Sequence, residues 1–217
     1  MLVLGDAHAD DADHRRALDR AYAATDDDVA LQTGDLLTYD LPKETWFIAG
    51  NNEDFDVVEA MRAGERPPGT ANAHLLASTA VDLSGIRVAG LSGNFAPTRY
   101  DKPRSQLSGD RRRHFTREDV ERAATLADVD VFLTHEAPHG LLVQEDYDVG
   151  CTHVDRLLQT IEPDLCLVGH HHEHAETRFG TTRVVSLAPV WEAYYTLDPA
   201  DLDLRRFDNA DEAAEGA

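Results

Sequence analysis

Five short apolar segments along the chain end in the same way, with a Gly or Thr followed by an Asp, Asn or His. They occupy residues 2–4, 29–32, 46–49, 129–133 and 165–168. Apolar runs of this length, bounded by turn residues, predict buried β-strands. Helical patterns at 13–25, 55–62, 116–126 and 152–161 alternate with them. Strand, loop and helix in repetition indicate an α/β fold with a largely parallel sheet.

The side chains that follow these strands are all capable of binding metal: Asp6, His8, Asp35, Asn51, His135, His170 and His172. The carboxyl ends of parallel strands lie at one edge of a sheet, so we expect these side chains to converge. Residues two apart in an extended segment point to the same side, which allows 6 with 8 and 170 with 172 to share a site. Carboxylate, imidazole and amide ligands suit Mn, Fe, Zn or Ni better than Ca. Seven ligands exceed the four of a structural zinc site, which favours two metals with a bridging carboxylate.

The remaining segments complete one predicted domain over residues 1–207. Short strands are expected at 75–77, 80–83 and 87–91, followed by a polar connection over 92–109. Four closing strands at 177–179, 183–187, 194–197 and 202–207 indicate an antiparallel finish. Residues 208–217 are acidic and rich in Ala, and we expect them to form a frayed tail.

The charge balance restricts the partners of the chain. Lys and Arg total 20 against 41 Asp and Glu, a net charge of −21, and only Lys43 and Lys102 are lysines. This composition resembles that of proteins from salt-accumulating halophilic archaea, although a merely acidic cytosolic enzyme is the alternative. An extended nucleic-acid-binding surface is disfavoured because it requires a basic stripe. No apolar run approaches the roughly 20 residues of a membrane span, and the N-terminus lacks the pattern of a signal peptide, so we expect a cytoplasmic protein of open oligomeric state.

The blocks at the strand ends resemble, in order, those of the calcineurin-like metallophosphoesterases, from residue 1 to about residue 190. They are Gly5-Asp6-Ala7-His8, Gly34-Asp35, Gly50-Asn51-Asn52-Glu53, Thr134-His135 and Gly169-His170-His171-His172. The resemblance implies a four-layer α/β/β/α sandwich, in which two mixed β-sheets are flanked by helices. It also implies a ligand set: a first metal bound by Asp6, His8 and His172, a second bound by Asn51, His135 and His170, and Asp35 bridging both.

The function implied is hydrolysis of a phosphate-ester or nucleotide-type substrate, with two divalent metal ions as cofactors and Mn²⁺ as the first expectation. A hydroxide bridging the metals is ionised near neutral pH and is expected to attack phosphorus in line. Many family members carry His after the metal-binding Asn, where it contacts the phosphate and protonates the leaving group. Asn52 stands there instead and cannot act as a general acid. We therefore expect phosphodiesters or esters with good leaving groups, catalytic roles for Asp35, Asn52 and His139, and His139 or His174 as the proton donor.

A second likeness concerns Gly90-Leu91-Ser92-Gly93-Asn94 and Arg99-Tyr100-Asp101, which are similar to segments of RNA lariat debranching enzymes. Those enzymes cleave a 2′,5′ phosphodiester, but they carry Cys where this chain has His8. Asn94 and Arg99 are accordingly expected to bind substrate, with His174 as a third candidate. The run 111–113 is a phosphate-binding or merely solvated group of arginines. A non-catalytic metal-binding scaffold on the same fold and a nuclease are the alternatives; the completeness of the seven ligands favours an enzyme.

Overall fold

The computed structural model of the chain describes residues 1–144 and 146–209. Within these residues the strands are, in chain order, β1 (Leu2–Leu4), β2 (Val29–Gln32), β3 (Glu44–Phe47), β4 (Ala73–Leu75), β5 (Thr79–Leu83), β6 (Ile86–Leu91), β7 (Val131–Thr134), β8 (Val143–Gln144), β9 (Tyr147–Asp148), β10 (Leu165–Val168), β11 (Ala175–Phe179), β12 (Thr182–Ser186), β13 (Ala193–Asp198) and β14 (Asp203–Asp208). The helices are α1 (Ala12–Ala23), α2 (Phe55–Arg62), α3 (Arg117–Ala123) and α4 (Thr152–Ile161), with 3₁₀ turns at Arg104–Gln106 and Gly109–Arg113.

Two six-stranded sheets contain most of these strands. The first has the order β14-β13-β1-β2-β3-β4 and the second has the order β11-β12-β10-β7-β6-β5. Both sheets are mixed: β1 is parallel to β2 but antiparallel to β13, and β10 is parallel to β7 and β12 while β11 runs antiparallel to β12. β8 and β9 form a separate hairpin.

Alternate side chains of the central strands explain why the two sheets stack. In β1, Val3 packs in a cluster made of strands from both sheets, whereas Leu2 and Leu4 pack in a second cluster with Leu18 of α1 and Val58 of α2. A third cluster joins the second sheet to α3 and α4. Because neighbouring residues of a strand point to opposite faces, these fully apolar strands are buried on both sides. The predicted four-layer α/β/β/α sandwich is confirmed.

Local sequence sets the ends of several helices. Thr116 and Asp119 form a reciprocal capping box at the start of α3, as the Thr-to-Asp spacing predicts. Asp11 caps α1 through hydrogen bonds from the backbone N–H groups of Asp13 and His14. At the end of α4, Glu162 adopts a left-handed conformation with φ of 49° directly before a proline.

The closing strands form two antiparallel hairpins, β11 with β12 and β13 with β14, as predicted. The hairpins belong to different sheets, because β12 pairs in parallel with β10 whereas β13 pairs with β1. β14 continues to Asp208, and the buried Asn209 donates hydrogen bonds to the carbonyls of Ala17 and Val190 at 2.9 and 2.6 Å. The remainder of the predicted tail, 210–217, lies outside the described residues. Every helix in the described part is too short or too polar to cross a bilayer.

Candidate metal centre

The predicted ligand residues meet where the carboxyl ends of the two sheets come together. Asp6 and Asp35 follow β1 and β2 of the first sheet, while His135 and His170 follow β7 and β10 of the second. The backbone is closely packed there: a Cβ atom on Gly169 would lie 2.5 Å from the Thr33 carbonyl oxygen and 2.6 Å from Asp6 Oδ1. This position therefore requires glycine, which explains why a glycine precedes the histidine at the end of β10.

Asp6, His8 and His172 form a first group of converging ligand atoms. His172 Nε2 lies 3.1 Å from Asp6 Oδ2 and 3.3 Å from His8 Nε2, and His8 Nε2 lies 3.5 Å from Asp35 Oδ2. Ligands bound at about 2.1 Å from one metal are about 3.0–3.4 Å apart in octahedral or tetrahedral geometry. These separations fit three ligands of one common ion. In the described part of the chain, no third side chain forms a hydrogen bond with both facing nitrogens, His8 Nε2 and His172 Nε2.

Asp6, Asp35 and His135 form the second group, which Asn51 extends. His135 Nδ1 donates to the carbonyl of Thr33 at 2.8 Å, which leaves Nε2 as the ligand nitrogen. That Nε2 lies 3.0 Å from Asn51 Oδ1 and 3.5 Å from Asp35 Oδ1. The two oxygens of Asp35 thus face one histidine of each group, the arrangement expected of a bridging carboxylate.

His170 approaches the cluster through its backbone as well as its ring. Its N–H donates to both carboxylate oxygens of Asp6 at 3.0 Å, and its ring centroid lies 4.9 Å from that of His135. Burial, together with the charge of His135, lowers the pKa of His170 to about 4. A neutral imidazole is the form that binds metal.

Electrostatics keep the Asp6 carboxylate ionised. Burial opposes ionisation of Asp6, but His135 and hydrogen bonds from His172 and His170 hold its pKa below the usual value. Burial likewise disfavours charge on His135, and the carboxylates of Asp6 and Asp35 overcome it and raise its pKa. The carboxylates of Asp6 and Asp35, at 2% and 1% exposure, have imidazoles as their only ion-pair partners among the described residues. A divalent cation would supply the remaining positive charge.

The backbone explanation for convergence is corrected by the structure. The alternation of an extended strand does not apply, because four of these residues have left-handed φ values: His8 (43°), Asp35 (54°), His170 (74°) and His172 (54°). Such conformations are unfavourable for residues other than Gly and are concentrated at functional sites. As a result, His172 joins the first group while the ring of His170 turns towards His135.

Asn52 and Glu53, the two residues that follow Asn51, make hydrogen bonds to Asp35 and to the loop after it. The backbone N–H of Asn52 donates to Asp35 Oδ1 at 2.7 Å and its side-chain amide donates to Oδ2 at 2.8 Å. The side-chain amide of Asn52, for which a catalytic role is predicted, therefore directs one N–H to Asp35. The carboxylate of Glu53, which the sequence prediction did not assign to the site, accepts from the N–H groups of Leu36, Leu37 and Gly50 at 3.1, 3.3 and 3.3 Å and from the Tyr39 hydroxyl at 2.6 Å.

Four other predicted residues make contacts outside the cluster. His139 Nδ1 donates to Asp155 Oδ2 at 2.6 Å, His174 Nδ1 lies 3.1 Å from the Tyr195 hydroxyl, Asn94 Oδ1 lies 2.8 Å from His114 Nδ1, and Arg99 donates to the Thr98 carbonyl. None of the four contacts a ligand atom among the described residues. The partners of His139, His174 and Asn94 lie 16 to 21 residues away in the chain, whereas Arg99 contacts only its sequence neighbour through the bond described.

Trp191 is a neighbour of the cluster that the strand-end pattern of the sequence does not identify. Its ring stacks on His14 with centroids 3.9 Å apart and lies 5.1 and 5.9 Å from the rings of His172 and His8. The indole thereby supports both histidines of the first group.

Fold and site together define a class of protein: an α/β/β/α sandwich with two adjacent groups of metal-binding side chains at its strand ends. The family model described as calcineurin-like phosphoesterase matches residues 1–174. The match covers well over half of the chain, and the chain belongs to the calcineurin-like phosphoesterase family. Membership supports metal-dependent hydrolysis of phosphate esters.

Solved structures share the fold at low sequence identity. The protein TT1561 of Thermus thermophilus is 17% identical over 96% of this chain and 98% of its own, with a TM-score of 0.67. Another crystal structure is 14% identical over 96% of this chain and 98% of its own, with a TM-score of 0.72. A Staphylococcus aureus protein described as a putative 5′-nucleotidase, in complex with alpha-ketoglutarate, is 12% identical over 98% of this chain and 54% of its own, with a TM-score of 0.51. A comparison with curated proteins finds no match.

Proposed function

We propose that the chain hydrolyses phosphodiesters with two divalent metal ions, Mn²⁺ before Fe, Zn or Ni, held by the seven residues predicted as ligands. The observation that carries the proposal is the position of Asp35, whose two oxygens each lie 3.5 Å from a histidine of a different group. When bound, the ions supply an ionised water near neutral pH and stabilise charge that develops on the phosphoryl group.

The chain itself holds these ligands in place. Asn52 fixes both oxygens of Asp35, and the Thr33 carbonyl fixes the tautomer of His135. The nucleotide-type substrate is supported by the fold shared with the nucleotidase described above, and the diester preference by the likeness to lariat debranching enzymes.

The leaving group restricts the proposed substrate further. Asn52 cannot protonate it, and neither His139 nor His174 contacts the cluster in the described part of the chain. An ester whose leaving group departs without protonation is therefore the favoured substrate, and an alkyl monoester is the least favoured.

The test is hydrolysis of bis-p-nitrophenyl phosphate against p-nitrophenyl phosphate at molar KCl with Mn²⁺. Asp35→Asn serves as the control, because it removes the bridging charge and keeps the shape. Faster diester cleavage that is lost in the variant supports the proposal. A protein that binds two Mn²⁺ ions and cleaves neither ester would refute it and favour the metal-binding scaffold. Asn52→His is expected to raise turnover of alkyl phosphates.

A further inference from the structure

A cleft of about 400 Å³ opens beside the metal-binding groups. His8, Asn51 and Asn52 line one side of it, and Asp110 and Arg113 from the 3₁₀ turn Gly109–Arg113 line another. Its volume lies within the range of small-molecule binding sites. A substrate whose phosphoryl group reaches the metal site would place adjoining atoms in this cleft.

The guanidinium group of Arg113 lines the cleft and lacks an acidic partner in the described part of the chain. Its Nε is buried without a hydrogen-bond partner, and no carboxylate of residues 1–144 or 146–209 forms an ion pair with its guanidinium. The adjacent Arg112, by contrast, binds Asp56 at 2.7 Å and the Gly109 carbonyl at 3.1 Å. Because Arg113 lines the cleft beside the candidate metal site and has no carboxylate partner in the described part of the chain, its guanidinium is available to an anionic ligand there.

The backbone holds Arg113 at this position independently of its side chain. Its carbonyl accepts a hydrogen bond from the Asn94 N–H at 3.0 Å, and Asn94 pairs with His114 in an isolated β-bridge. A change of the side chain alone therefore leaves the turn anchored, which makes Arg113 suitable for substitution.

The other fixed charges that face the cleft are negative. Asp10 and Asp110 lie in its wall, and Arg113 is the one arginine or lysine among its lining residues in the described part of the chain. Metal ions at the adjoining site would attract either ester, whereas the carboxylates of the cleft, Glu53 among them, repel a phosphomonoester with about two negative charges at pH 7 more strongly than a diester with one. Phe55 and Leu37 add an apolar wall for the organic group of the ester.

We infer that Arg113 binds a phosphoryl oxygen of a singly charged phosphodiester, and that Asp10 and Asp110 discriminate against doubly charged monoesters. The inference rests on the proposed function, since it names the substrate class of the same site. Asn52 donates hydrogen bonds to Asp35, so the contact with the phosphate is assigned to Arg113 instead.

The test measures binding, so that it does not depend on turnover. Diphenyl phosphate (one charge) and phenyl phosphate (two charges) are titrated calorimetrically into the Mn²⁺-loaded protein. Arg113→Ala is expected to weaken diphenyl phosphate binding about 10-fold or more, the effect of losing a charged hydrogen bond. Arg111→Ala, which removes the same charge from an exposed position of the same turn, is the matched control and is expected to change binding less than about 2-fold.

A second variant tests the acidic side chains of the cleft, Asp10 and Asp110. Asp110→Asn is expected to strengthen phenyl phosphate binding about 3-fold or more and to leave diphenyl phosphate nearly unchanged. Equal effects of Arg113→Ala and Arg111→Ala on both probes would overturn the inference, because the cleft would then act only through overall charge. Arg113→Lys keeps the charge without the bidentate geometry, so its affinity for diphenyl phosphate should fall between those of the wild type and Arg113→Ala. An Arg113→Lys protein that binds two Mn²⁺ ions but has the affinity of Arg113→Ala would also overturn the inference.

Hydrolysis and Mn²⁺ stoichiometry measured on the same samples separate the two proposals. Binding of diphenyl phosphate that depends on Arg113 in a protein that cleaves neither test ester would refute the phosphodiesterase and keep the binding site. An active diesterase indifferent to Arg113 would refute the site alone.

Discussion

Replacement of Glu53 by Ala is the perturbation with the largest expected effect outside the ligands. One carboxylate at 8% exposure accepts four hydrogen bonds, and two of its donors adjoin the ligands Asp35 and Asn51 in sequence. Burial, the largest influence, raises the pKa of Glu53 to about 7. The carboxylate accepts hydrogen bonds from the loop after β2 and from the loop after β3. Its removal therefore takes away a contact that holds the two loops together.

The magnitude follows from the four donors. Each buried donor left unsatisfied costs about 1–3 kcal/mol, so four give about 4–12 kcal/mol as an upper bound. Water can enter the space left by the carboxylate and restore part of that, since the site is polar. We therefore expect a loss of about 3–5 kcal/mol in the free energy of unfolding, a large share of the roughly 5–15 kcal/mol of a typical domain. Tyr39→Phe removes a single donor and should cost about 1 kcal/mol.

The assay is denaturant-induced unfolding, performed with a chelator and again with Mn²⁺. Metal that binds only the folded state stabilises it, so the deficit of Glu53→Ala should widen in Mn²⁺ if Asp35 and Asn51 lose their positions. Calorimetric titration should show that Tyr39→Phe keeps its metal stoichiometry. A Glu53→Ala protein within about 1 kcal/mol of the wild type, binding metal as tightly, would show that the carboxylate does not join the loops.

Three further predictions concern the surroundings of the site and the whole surface. Trp191→Ala is expected to weaken Mn²⁺ binding about 10-fold in calorimetric titration because two ligand histidines lose their support, whereas Trp46→Ala should leave affinity unchanged; equal effects would contradict this. Burial opposes ionisation of Asp119, but Arg104 and Arg62 lower its pKa. The stabilisation by this carboxylate is therefore present above about pH 4 and is lost as pH falls further. In denaturant titrations, Asp119→Asn should cost about 3 kcal/mol at pH 7 and less at pH 3. Because the net charge is −21, the unfolding midpoint should rise by several degrees from low salt to molar KCl, and equal midpoints would reject the halophilic interpretation.

Local sequence determines the elements and the positions of the candidate ligands. An apolar run such as Leu165–Val168 can only be a strand buried on both faces, and the residue after its glycine must emerge at the strand end. The same reasoning places Asp6, Asp35 and His135 at one edge, and the four-layer architecture follows from helices that alternate with such strands.

Only the tertiary structure decides which side chains of that edge touch. Trp191 reaches the site through contacts with segments far away in the chain, and its neighbours in sequence carry no sign of it. Glu53 and Arg113 belong to a motif block and an arginine run that the sequence marks, but their contacts at the site depend on the fold. The same is true of His139, whose partner Asp155 lies on α4. Periodicity reports the face of one element, whereas these contacts depend on how two sheets are stacked.

The left-handed backbone conformations show most clearly which part of the site geometry the sequence does not predict. The sequence by itself determined that His170 and His172 follow a strand, and the alternation of an extended chain predicts only that both point to one site. Their φ values of 74° and 54° redirect the two rings to different groups. For residues other than Gly, such conformations are stable only when the surrounding packing holds them, so no local rule predicts them and the folded structure alone determines the geometry of the site.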